Sequence, residues 1–109
     1  MIRQVQEPAA QDLSPAERER RIAEAALREA GIVQRIPELS EVTKKIFGDA
    51  PVVTIETDPE LRDDHYVVFQ VTVTGPVPEA RQLHKRWNAE TAEMLGRDVD
   101  KIRLMMSWK

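Results

Sequence analysis

The chain has 109 residues, no cysteine and a formal net charge of −3. That length supports one modest hydrophobic core and leaves no room for two independent domains, and the missing cysteines exclude disulfides, thiol catalysis and thiolate metal sites. With 32% charged and 41% apolar residues, the composition describes a small core under a heavily charged surface, and its acid excess offers no global attraction to nucleic acid or anionic lipid.

Residues 1 to 13 carry no periodicity, include Pro8-Ala9-Ala10 and lack the apolar stretch of a secretion signal. They are expected to be a disordered or loosely docked leader ahead of a single domain over residues 14 to 109, in a cytoplasmic protein with no membrane span. Ser14, with Pro15 behind it and Glu17 three residues on, has the pattern of a capping box, and Gly31 supplies a stop. Between them Ile22, Ala23, Ala26, Leu27 and Ala30 fall on one helical face, while Glu24 and Arg28 are among the opposite charges four apart elsewhere. After a linker from Ile32 to Ile36, Pro37 opens a second helix whose Leu39, Val42, Ile46 and Phe47 keep helical spacing up to Gly48.

Beyond Asp49 the period changes to two. Val53 and Ile55 mark one strand, and Val67, Phe69, Val71 and Val73 a second, joined by a loop from Asp58 to Asp64 in an antiparallel hairpin. Gly75-Pro76 ends it, and a third helix from Pro78 to Leu95 carries Ala80, Leu83, Trp87, Thr91 and Met94 on its apolar stripe. A last strand alternates Ile102, Leu104, Met106 and Trp108 with Lys101, Arg103, Met105 and Ser107. This order, ααββαβ, predicts an α+β two-layer sandwich. Placing the last strand beside the first gives a three-stranded, mostly antiparallel sheet in the order 2-1-3. The second and third helices then cover Val53, Ile55, Val67, Phe69, Val71, Leu104 and Trp108.

Much chemistry is excluded. Each of the four glycines follows a helix or makes a turn, so no glycine-rich phosphate cradle can be written on the chain. Ser14, Ser40 and Ser107 stand in no nucleophile elbow. His65, after Asp63-Asp64, reads as a surface residue of a solvated turn, because neighbours on an extended chain point to alternate sides. His84 reads as a boundary residue between the third helix's stripe and solvent. No cofactor and no metal are expected.

The strongest local bias is Glu56, Asp58, Glu60, Asp63 and Asp64, offset by Arg62 alone. With Tyr66, these acids are the residues expected to meet a partner, a protein with a basic surface. The sheet's second face, with Val52, Thr54, Tyr66, Val68, Gln70, Thr72, Arg103 and Met105, is too apolar for a free surface and too polar for a sealed core. Helix one, a second copy of the chain in a homodimer, or another protein are the candidates to cover it. Only Tyr66 and Arg103 suit an RNA-reading sheet.

The charged first helix, the valine-rich second strand, the tryptophan-bearing third helix and the short last strand resemble small uncharacterised bacterial α+β proteins, some of them encoded beside a toxin-like partner. The resemblance identifies no functional residue. The expected function is that of a non-enzymatic cytoplasmic adaptor or protein-binding protein, antitoxin-like in the way it would engage a partner. A small enzyme with a His/carboxylate site assembled by the fold, and a nucleic-acid-binding module, are the alternatives.

Overall fold

The structure is a computed structural model that describes residues 14–61 and 63–109; the leader over residues 1–13 and Arg62 lie outside the described residues. Among those described, three α-helices and a three-stranded mixed sheet form an α+β fold. Helix α1 spans Pro15–Glu29. Ser14 starts it as read from the sequence, its Oγ accepting a hydrogen bond from the Glu17 N–H at 3.2 Å. Gly31, at φ 82°, lets the chain reverse so that the Ile32 N–H reaches the Leu27 carbonyl at 2.9 Å.

The segment from Ile32 to Ile36 is not an extended linker. Val33–Arg35 form a 3-10 turn that runs directly into α2, Ile36–Phe47, because a proline in the first turn of a helix lacks only an N–H that has no helical partner there. Strands β1 (Val52–Thr57) and β2 (His65–Val73) make the antiparallel hairpin. Helix α3 covers Val77–Leu95, and a 3-10 turn over Gly96–Lys101 leads into β3, Ile102–Trp108.

The strand order is 1-2-3, not 2-1-3: β3 pairs with β2 in parallel, placing Ile102 beside Val67 and Leu104 beside Phe69. A helical crossover is how neighbouring parallel strands are joined, and α3 is that crossover. Strand β2 belongs at the centre because it is apolar in both phases. Val67 and Phe69 are buried under the helices, and Val68 is buried on the opposite face by the strands that flank it.

All three helices share one face of the sheet. Leu27 of α1, Leu39 and Ile46 of α2, and Trp87 of α3 pack with Val67, Phe69 and Ile102. The Trp87 and Phe69 rings lie 6.1 Å apart and tilted by 57°, a favourable aromatic contact. Across the α2–α3 seam the buried Trp87 Nε1–H donates to Thr43 Oγ1 at 2.8 Å, and the Thr43 hydroxyl donates in turn to the Leu39 carbonyl at 2.7 Å. Arg35 donates to the Met94 carbonyl and to Glu38, tying the 3-10 turn to the end of α3.

Two expectations change. Helix one does not cover the sheet's second face, since its buried Ala23 and Leu27 face the common core. Trp108, the last residue of an edge strand, keeps 48% of its surface exposed and is not the central core aromatic; that place belongs to Trp87. No helix among the described residues is long and apolar enough to cross a membrane.

Candidate functional site: the two sides of the hairpin tip

The tip of the β1–β2 hairpin is a built turn. The Asp58 N–H donates to the Asp64 carbonyl at 3.0 Å and the Asp64 N–H to the Leu61 carbonyl at 2.8 Å. Asp58 Oδ1 accepts from the Glu60 N–H at 2.8 Å and the Leu61 N–H at 3.0 Å, the Asx arrangement in which a short carboxylate replaces a backbone acceptor. Those two donors hold the Asp58 carboxyl below its ordinary value. Asp58 therefore serves the turn.

The remaining acids do not form one surface. Glu56 and Tyr66 are register partners on the helix-free face. There the Arg103 guanidinium carbon sits 3.7 Å from the centre of the Tyr66 ring, and its Nη2 lies 3.4 Å from Asp64 Oδ2, so Asp64 already has a cationic neighbour. Glu60 and Asp63 stay exposed at the tip.

On the helix side of the tip, a cleft of ≈ 240 Å³ opens between α1 and the hairpin, lined by Glu19, Ile22, Thr57, Asp63 and His65. Thr57 and His65 are register partners at the ends of β1 and β2, and Thr57 Oγ1 and His65 Nδ1 are hydrogen-bonded at 2.9 Å. Ile22, one of the lining residues, is 61% exposed to solvent. The arrangement joins an apolar wall to two carboxylates and an imidazole whose Nδ1 is engaged by a hydroxyl.

Sequence reasoning placed Asp63 and His65 near each other but missed Glu19 and Ile22, which arrive from α1. A signal was present. The apolar stripe of α1 runs over Ile22, Ala23, Ala26 and Leu27, wider than the Ala23 and Leu27 contact that the core uses.

Elsewhere the chemistry is sparse. His84 is half-buried, its ring 6.4 Å from that of Trp87. A larger cleft of ≈ 460 Å³ lies at the far end of the sheet, where the charged lining residues are Asp49 and Lys109. Among the described residues no group of three or more His, Cys, Asp or Glu is arranged to hold a metal ion. Comparisons with profiles of known protein families, with curated proteins and with solved structures return no match for the chain.

Proposed function

We propose that the protein is a partner-binding module that takes a basic side chain of another protein into the cleft between α1 and the hairpin tip. The observation that carries this reading is the pairing, in one cleft, of the exposed Ile22 with the Glu19 and Asp63 carboxylates. A lysine or arginine has the matching anatomy, an aliphatic stem that packs on an apolar wall and a cationic head that accepts carboxylate partners. Glu60 at the tip extends the negative field outward and favours the encounter of a basic surface. Such a module fits an adaptor, or the antitoxin-like neutraliser of a basic protein, and the cysteine-free sequence suits the cytoplasm.

An acid–base enzyme would orient His65 with a carboxylate, as general bases are usually held. Here the Nδ1 of His65 is bonded to Thr57 Oγ1, which favours recognition over proton transfer. A nucleic-acid module is disfavoured because Arg103, the cation of the open face, already contacts Asp64 and Tyr66.

The test is NMR titration of the 15N-labelled protein with a short peptide alternating Lys or Arg with Gly and Ser. Shifts are expected to concentrate at Glu19, Ile22, Thr57, Asp63 and His65, to weaken with added salt because exposed charges are screened, and to vanish in the Glu19→Lys, Asp63→Lys double variant. Shifts spread evenly over the acidic surface, or unchanged in the double variant, would refute the site.

A further inference from the structure

Strand β2 outruns its first neighbour. Pairing with β1 stops at Val52 and Gln70, while β3 stays beside β2 as far as Val73, so residues 71–73 have a partner strand on one edge only. Successive residues of a strand direct their N–H and C=O groups to opposite edges. The Asp58 N–H bonds the Asp64 carbonyl on the β1 side, and the Lys109 N–H bonds the Val73 carbonyl on the β3 side. Even-numbered residues of β2 therefore serve β1 and odd-numbered ones β3, and Thr72 turns its N–H and C=O toward the line of β1. Continued register would place Ala50 there, but the chain has left the strand, turning at Gly48 with φ 93° and entering β1 through Pro51, which has no N–H. Among the described residues neither backbone group of Thr72 has a backbone partner.

The gap so left opens into the cleft of ≈ 460 Å³ at the far end of the sheet, a volume within the range of ligand sites. Phe47, Val73 and Leu83 are its apolar wall, and Thr72, Thr74 and Gln70 bring hydroxyls and an amide. We propose that this cleft binds a short extended peptide segment of another protein, running antiparallel to β2 as a continuation of β1. The central residue of the segment exchanges both of its backbone hydrogen bonds with Thr72, the means by which an open strand edge takes up a further strand.

Side chains of cross-strand neighbours lie on the same side of a sheet. The central side chain of the segment therefore falls with Thr72 on the helix-free face, among polar groups. Those on either side of it fall with Val71 and Val73, which are 4% and 6% exposed, toward Phe47 and Leu83. The pattern selected is apolar, polar, apolar, with β-branched residues favoured at the outer places. This site and the cleft between α1 and the hairpin tip stand at opposite ends of β2, and the inference is independent of the reading given to that cleft.

The test is NMR titration of the 15N-labelled full chain with acetyl-Val-Thr-Val-amide. In the free protein the Thr72 amide should exchange with solvent much faster than the amides of Val71 and Val73, which face β3. On addition of the peptide the Thr72 amide proton should move downfield as a hydrogen bond forms, with the other shifts centred on Phe47, Val73 and Leu83. The same peptide methylated on its threonine nitrogen cannot donate to the Thr72 carbonyl and should bind about tenfold more weakly. Thr72→Pro removes the donor of the protein at an edge where no ladder bond is lost, and should keep the wild-type circular dichroism while abolishing the shifts. A Thr72 amide as protected in the free protein as its neighbours would overturn the proposal. So would shifts that are absent or centred elsewhere, equal binding of the two peptides, or undiminished binding to Thr72→Pro.

Discussion

Thr43→Val tests the account of the α2–α3 seam at its centre. The substitution keeps the shape of the side chain but removes the oxygen that accepts from Trp87 Nε1 at 2.8 Å. Thr43 is 0% and Trp87 2% exposed, so water cannot take over the acceptor role. A buried donor left without a partner costs about 1–3 kcal/mol. The second bond lost, from Thr43 to the Leu39 carbonyl, adds little, because that carbonyl belongs to a helical ladder. For a domain of this size the melting temperature should fall by roughly 4–8 °C per kcal/mol. Urea denaturation followed by far-UV circular dichroism measures the change for Thr43→Val, Trp87→Phe and the double variant. Trp87→Phe removes the donor, so adding Thr43→Val to it should cost about 1 kcal/mol less than in the wild type or be nearly neutral. Equal costs of Thr43→Val in both backgrounds would show that the bond contributes nothing, and the seam would then be held by apolar packing alone.

The two tryptophans should separate in magnitude: Trp87→Ala should cost about 3–5 kcal/mol, while Trp108→Ala, at a position 48% exposed, should cost about 1–1.5 kcal/mol. Similar melting-temperature losses would contradict the different burial of the two residues. The folded-state pKa of Asp58 is lowered by the Glu60 and Leu61 N–H donors, so its contribution to the turn is present above the ordinary carboxylate pKa of about 3.9 and is lost as pH falls through the depressed folded value. The carboxyl 13C shift of Asp58 should titrate below that of a model aspartate, and a midpoint at or above the model value would refute the Asx turn.

The fold class and the extents of the regular elements were legible in the sequence because they depend on local chemistry. Ser14, Pro15 and Gly31 act within one turn of where they stand, and the change of period after Asp49 follows from side chains alternating on a strand. The sheet order depends instead on which strand is paired along both edges, so that its side chains are buried even on the face no helix covers. That information was also in the sequence, in the consecutive Val67 and Val68, an apolar residue in each phase, which marks a central strand. Pairing by alternation alone weighs one face at a time and so misplaced β3. The Thr43–Trp87 bond was beyond reach for another reason. Thr43 shares a face of α2 with Leu39, Ile46 and Phe47, and nothing local says that its hydroxyl meets an indole 44 residues away.

The candidate site shows the same division more sharply. A count of charge along residues 56–64 treats five carboxylates as equivalent, yet their availability is decided by hydrogen bonds that the count does not contain. Asp58 is held by two backbone donors and Asp64 stands beside Arg103, whereas Asp63 opens into a cleft whose other wall comes from α1. Reversing Asp64 would therefore disturb a contact within the open face of the sheet. Reversing Asp63 would act on the proposed cleft and leave the Arg103 contact in place, so the two substitutions should have separate consequences. A charged run offers a surface only in the residues that the fold leaves without an internal role; among the described acids of this hairpin those are Glu56, Glu60 and Asp63, and the proposed cleft takes Asp63 together with a Glu19 that stands far from it in sequence.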